Sequence, residues 1–299
     1  NAAMRSPEAP RLLSGMDRPM QQFWRRAAAF AFTLGVLALA APAWAQEPHP
    51  WQLGFQAAHS PVQVQVERLH TLVLWIITAI TVFVGALLVW VMIRYHHTRN
   101  PTPSSTSHNT LLEVAWTAIP ILILVVIGIP SFRLVYYQDR TAHADMTLKV
   151  TGHQWYWEYT YPDNENVDFT SYIIKDEDLK PGQKRLLDVD NPLVLPAGKN
   201  IRILTTSADV IHSFFIPSLG VQRYAIPGQT IETWVRINEP GHYYGECNQI
   251  CGTNHSFMPI SVVAMTPAAF AEWVKQAKTK FAANPPADPN RLAANGSVQ

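Results

Sequence analysis

The spacing of apolar and polar positions divides the chain into two kinds of segment. Residues 69–93 form a run of 25 without a charge, and residues 114–132 a second of 19. Each is long enough to cross about 30 Å of hydrocarbon as a helix. Together they predict a transmembrane hairpin with helices over about residues 69–93 and 112–135. A shorter apolar run over residues 27–41 follows Arg25 and Arg26 and ends in Ala43-Trp44-Ala45. That is the order of a secretory signal, and ~15 apolar residues are too few for a third span. Residues 1–45 are therefore expected to be a signal peptide with some preceding residues, and the mature chain to start at Gln46.

Beyond Asp139 the period shortens to alternating apolar and polar positions cut by Pro, Gly and Asn. Residues 148–161, 186–195, 201–206, 230–237 and 260–265 read as strands, punctuated by Pro196-Ala197-Gly198, Ile226-Pro227-Gly228 and Glu239-Pro240-Gly241. Repeated short strands of this kind predict a Greek-key β-barrel or sandwich. Thr266 followed by Pro267 has the form of a helix N-cap and first helical position, and opens a terminal helix to about Phe281. The organisation expected is a signal (1–45), an N-terminal segment plus hairpin (46–136), an exported β-domain with terminal helix (137–283) and a disordered tail (284–299).

Charge refines this division. The formal total is only +1, which argues against a nucleic-acid partner. It conceals +3 in residues 1–45, +1 in 46–138 and −3 in 139–299. The polar loop between the apolar runs contains Arg94, His96, His97 and Arg99, and positive loops stay on the cytoplasmic side. A cleaved signal leaves the N-terminus outside, and two crossings return the chain there. Both arguments place the β-domain in the periplasm of a bacterial inner membrane.

Candidate chemistry concentrates in the stretch from Glu246 to Pro259, which contains Cys247, Gln249, Cys251, His255 and Met258, with a distant His212. These are soft, closely spaced donors that favour copper over hard cations. A blue-copper site needs one Cys, two His and an axial Met, and this loop has one thiolate more. Two thiolates can bridge two metal ions, with one imidazole terminating each. A disulfide, a zinc site and a mononuclear copper site remain open alternatives. The Cys pair encloses only three residues, so a disulfide would contribute little loop closure, and zinc would leave Met258 without a role. Glu113, at the start of the second apolar run, suits a helix dipole and is also a candidate proton entrance.

With the copper loop go Gly152-His153-Gln154-Trp155-Tyr156-Trp157, Leu187-Asp188-Val189-Asp190, Ile216-Pro217-Ser218-Leu219-Gly220 and Tyr243-Tyr244-Gly245. In these motifs, and over about residues 55–280, the sequence resembles subunit II of the haem-copper cytochrome c oxidases that bear a binuclear copper A centre. The resemblance implies a cupredoxin-like domain behind a two-helix anchor. It implies a subunit that accepts electrons from cytochrome c and passes them to haem in subunit I, where oxygen reduction is coupled to proton pumping.

Carried over by position, the ligands of the two copper ions would be His212, Cys247, Cys251, His255, Met258 and the backbone carbonyl of Gln249. Trp155 falls where the family takes in electrons, Glu113 at the mouth of a proton channel, and Asp209, Asp163 and Glu165 at positions that dock basic cytochrome c. The family has Glu where this chain has Gln249, and a neutral amide is a poorer ligand for a hard cation. That leaves the magnesium or manganese ion shared with subunit I doubtful. The competing reading is a membrane-anchored copper-binding or copper-delivery protein without an oxidase partner. A quinol-oxidising relative is disfavoured by the full copper ligand set. Nitrous oxide reductase is disfavoured by the two-span anchor and by the lack of a separate multi-histidine domain.

Overall fold

The computed structural model describes residues 48–282 apart from 103, 140 and 142. The expected signal peptide and tail lie outside the described residues. Two long helices come first, α1 (Pro61–Arg94) and α2 (Thr110–Asp139). Both keep apolar side chains outward along their length: Trp75 is 71% exposed, Leu124 67% and Phe132 68%. Exposure of that kind suits lipid rather than water, and this is a membrane protein with a helical hairpin.

The helix α1 starts eight residues before the uncharged run because its end is fastened to the β-domain. Ser60 caps it, accepting from the Gln63 amide at 3.0 Å, and its hydroxyl donates to the Leu219 carbonyl at 2.6 Å. A side chain on Gly220, in the left-handed region at φ +64°, would meet the Gln63 amide nitrogen at 2.8 Å. The domain end of α2 is held by side chains in the same way. Trp234 donates its indole N–H to the Tyr137 carbonyl, Thr233 its hydroxyl to the Gln138 carbonyl, and Arg223 pairs with Asp139. Carbonyls left free by the helix end thus find donors on the domain.

The domain is a sandwich of two five-stranded sheets, cupredoxin-like in architecture. One sheet has the order β3 (Val167–Ser171), β2 (Tyr156–Tyr161), β1 (Met146–His153), β5 (Ile201–Ser207), β8 (Ile231–Val235). The other runs β4 (Leu193–Pro196), β10 (Ile260–Met265), β9 (Gly241–Cys247), β6 (His212–Ile216), β7 (Val221–Ala225). Pairing is antiparallel except between β1 and β5 and between β10 and β4. Trp157, Tyr159, Phe214, Ile201, Ile203 and Tyr243 fill the space between the sheets. The terminal helix α3 (Pro267–Ala282) closes one end, where Phe270 and Trp273 pack at a tilt against Tyr161 and Phe281 stacks on Phe169. Thr266 caps it, as its residue type predicts.

The expected strand over residues 148–161 is two strands. The chain reverses at Gln154 and Trp155, so that His153 pairs with Tyr156. No Gly, Pro or Asn marks this turn. It is held from outside, by the Asp209 carboxylate accepting from the Gln154 amide at 2.6 Å. The expected strand over 186–195 is ordered as strand only from Leu193: Leu186 is left-handed at φ 65°, the Leu187 and Asp188 amides turn back to the Lys184 carbonyl, and Val189 makes only an isolated bridge to Ile173. Strands β3, β6, β7 and β9 are additional to the sequence-based pattern, and two of them carry the residues read there as ligands.

Candidate metal centre

The strands β6 and β9 lie side by side, with Phe214 opposite Cys247 and Phe215 opposite Glu246. This pairing brings His212, at the start of β6, to Cys247, at the end of β9, across 35 residues of sequence. The loop after β9 then folds back under its own bonds. The Asn248 amide donates to the Ser213 carbonyl at 3.1 Å, and the Trp157 indole donates to the Met258 carbonyl at 3.1 Å.

All six groups expected as ligands converge. The two sulfurs lie 3.9 Å apart and both cysteines are free. Around Cys247 Sγ stand His212 Nδ1 at 3.9 Å and the Gln249 carbonyl oxygen at 3.3 Å. Around Cys251 Sγ stand His255 Nδ1 and Met258 Sδ, each at 3.6 Å. Each thiol therefore has one imidazole and one weaker donor, which fits a pair of soft metal ions bridged by sulfur. His212, Cys247 and Cys251 are buried, with ligand atoms within 4.8 Å of one another.

Protonation follows from burial. Burial pushes the Cys251 thiol up to about 12, with the neighbouring Cys247 adding to the shift. Burial lowers His212, although Asp209 opposes this, so the imidazole is neutral. For Asp209 burial acts upward, but bonds from His212 and from the Val210 and Gln154 amides outweigh it and hold the carboxyl below its ordinary range. The carboxylate thus accepts from His212 Nε2 at 2.8 Å, which leaves Nδ1 unprotonated and facing sulfur.

The sequence motif around Trp155 contributes more than its aromatic ring. Gln154 Nε2 donates to the Cys251 carbonyl at 2.7 Å. A Cβ on Gly252, at φ +127°, would lie 2.9 Å from Trp155 Cζ2, so the indole packs directly on the metal loop. A Cβ on Gly152 would lie 2.8 Å from His212 Cδ2. Gln154, Gly152 and Gly252 were not singled out from sequence, although all three stand within the motifs that carry the resemblance. The signal was a requirement for close approach, which only the neighbouring chain reveals.

The other predicted residues are dispersed. Asp209 stands at the metal end. Asp163 accepts from the Thr147 amide at 2.6 Å, near the start of β1, and Glu165 pairs with Lys278 of α3. The five-residue rise from Thr147 to Gly152 puts these two acids roughly 17 Å from the metal end. Glu113 sits in the first turn of α2, on an open face of that helix shared with Thr110, Thr117 and Ile121. The Asn109 side chain caps that helix, accepting from the Leu112 amide at 3.1 Å.

A helical hairpin carrying a β-sandwich whose strand ends and following loop assemble two thiols, two imidazoles and a thioether defines a membrane-anchored cupredoxin-like protein with a donor set that could hold soft metal. Residues 146–265 match the family described as "Cytochrome C oxidase subunit II, periplasmic domain" and residues 48–134 its transmembrane domain. A probable cytochrome c oxidase subunit 2 of Rickettsia bellii is 47% identical over 262 residues, covering 88% of this chain and 96% of the relative. The cytochrome c oxidase subunit 2 of Arabidopsis thaliana is 44% identical over 231 residues, covering 75% and 89%. The solved periplasmic domain of subunit II of the Bradyrhizobium japonicum cytochrome oxidase is 46% identical, covering 48% of this chain and 99% of that one, with a TM-score of 0.45. The chain belongs to the cytochrome c oxidase subunit II family.

Proposed function

We propose that the chain is the electron-input subunit of a proton-translocating cytochrome c oxidase, with its β-domain in the periplasm of a bacterial inner membrane. The observation that carries the reading is the convergence of four further donor groups on one buried thiol pair. His212, Cys247, Cys251, His255, Met258 and the Gln249 carbonyl would hold two copper ions. When bound, the pair supplies a one-electron relay whose charge is shared over both ions.

The chain's own residues prepare that site. Asp209 fixes the His212 ring and its tautomer, while Gln154 and Trp157 pin the backbone on either side of the loop. Burial of both thiols in a preformed loop limits rearrangement between redox states, which suits electron transfer rather than bond-making. Trp155, packed on Gly252, is the point at which electrons from cytochrome c would arrive, and haem in subunit I their destination. Gln249 presents a neutral amide, so a magnesium or manganese ion shared with subunit I forms no part of this reading. Paramagnetic resonance of the copper-loaded full chain tests the centre: a spectrum of an electron shared over two coppers is expected, and a purely mononuclear spectrum would sink the reading. A copper-delivery protein without an oxidase partner would purify without a haem-bearing subunit, whereas an input subunit would co-purify with one.

Two further residues carry predictions. The Asp209→Asn variant is expected to shift the copper spectrum and slow cytochrome c oxidation roughly tenfold, because the oriented imidazole loses its carboxylate. Asp163→Asn should leave the spectrum intact and lower the rate only at low salt, as a steering charge does. An unshifted spectrum in the Asp209→Asn protein would remove Asp209 from the positioning role. For Glu113, conversion to Ala should slow oxidase turnover several-fold with an unchanged copper spectrum. Full activity in that variant would exclude it from proton uptake.

A further inference from the structure

Where the hairpin meets the domain, α1 and α2 enclose an open cavity of about 490 Å³ lined by Gln65, Arg68, Leu69, Leu72, Pro130, Arg133, Leu134 and Tyr137. Two of its walls are cationic and none is acidic. Neither guanidinium has an ion-pair partner among the described residues, although nearby acids do: Asp139 pairs with Arg223, and Glu239 with His59. Glu67 adjoins Arg68 in sequence but does not line the cavity, as expected for neighbours on a helix.

The two arginines line one cavity from different helices, each near the domain end of its own. Arg68 lies eight residues below the Ser60 cap that binds the domain, about 12 Å along the axis, and Arg133 lies six residues before Asp139, about 9 Å. Neither helix is covered by the rest of the chain along its apolar length, so the cavity opens where lipid headgroups meet hydrocarbon. Its lining is graded in the same sense. Gln65 and Tyr137 are at the domain end, the guanidinium groups come next, and Leu72 and Pro130 continue the groove toward the bilayer centre.

We propose that this cavity binds an anionic phospholipid of the leaflet on the domain side, its phosphate held between Arg68 and Arg133 and an acyl chain lying along Leu69, Leu72 and Pro130. The complementarity of charge selects the occupant. Guanidinium forks match phosphate oxygens, and a second negative charge or a neutral glycerol on the headgroup is accepted where a choline cation is repelled. An acidic group of another subunit would satisfy the arginines but not the apolar floor below them.

The test is native mass spectrometry of the full chain in detergent, delipidated and then titrated with phosphatidylglycerol or phosphatidylcholine. Wild type should retain one phosphatidylglycerol at least tenfold more tightly than phosphatidylcholine. R68Q/R133Q should lose that preference, and R68K/R133K should keep most of it, which separates charge from folding. Equal retention of both lipids by the wild type, or undiminished preference in R68Q/R133Q, overturns the proposal. So does an assembled oxidase that keeps its bound phosphatidylglycerol and instead loses a subunit when both arginines become glutamine.

Discussion

Replacing either Cys247 or Cys251 by serine is expected to abolish the two-copper centre, reducing copper bound per full-length chain to half or less and erasing the mixed-valence resonance. The effect should be all or nothing because each thiol would serve both ions in the proposed centre. Cys247 Sγ is the group that faces His212 and the Gln249 carbonyl, and Cys251 Sγ the group that faces His255 and Met258. A hydroxyl is a harder and far less acidic donor and cannot bridge soft ions. Two coppers per chain in either variant would show that the sulfurs do not bridge. Proton release provides an independent check. Since burial holds the Cys251 thiol protonated up to about 12, copper must displace its proton, and loading should tighten as pH rises. The metal-free protein should show the opposite trend in stability. With the thiol moved up from 9.0 to about 12 in the folded state, its contribution is complete below pH 9 and is lost as pH climbs toward 12. Thermal melts of the metal-free chain between pH 8 and 12 would register this loss, and copper loading should flatten it.

The second large effect belongs to Gly245. A Cβ there would sit 2.1 Å from the Phe215 carbonyl oxygen and 2.9 Å from Ile216 Cγ1. The first obstacle is backbone of the adjacent strand, so no rotamer relieves it, and β6 and β9 must part. Overpacking a core costs about 1–3 kcal/mol where side chains can yield. For Gly245→Ala we expect at least about 3 kcal/mol, which lowers the melting temperature by roughly 10 °C. Because β6 begins with His212 and β9 ends with Cys247, the same variant should bind copper weakly. Gly228→Ala is the control: it stands in a turn at φ +75° with nothing within 4 Å of its Cβ, and should cost about 1 kcal/mol with copper binding unchanged. An unshifted melt and full copper occupancy in the Gly245→Ala protein would refute the close strand contact.

The hairpin was legible from uncharged length alone, since hydrocarbon tolerates only helices with their backbone bonds satisfied internally. What length could not tell was that α1 begins at Pro61, because Ser60 and Gly220, far apart in sequence, fasten it to the domain. Strand β10 and helix α3 were legible because each is punctuated locally, by Pro259 and by Thr266-Pro267. The turn at Gln154 was not, since the carboxylate that holds it comes from Asp209. The donor loop could be recognised from the spacing of Cys247, Cys251, His255 and Met258, which are close along one chain segment. The local partners of the acids were not legible either. Asp163 and Glu165 are engaged at the far end of the β1–β2 ladder, and Asp209 is bonded to His212 beside the thiols.

Spacing and composition thus determine that this chain crosses a membrane twice, folds a β-domain beyond it and offers soft donors in one loop, because those properties depend on neighbours within a few residues. Only the tertiary structure decides that His212 reaches the thiols, that Asp209 holds the turn at Gln154 and that Arg68 and Arg133 line one groove. Each of those depends on strands or helices that pair across tens of residues, where local period carries no information about the partner.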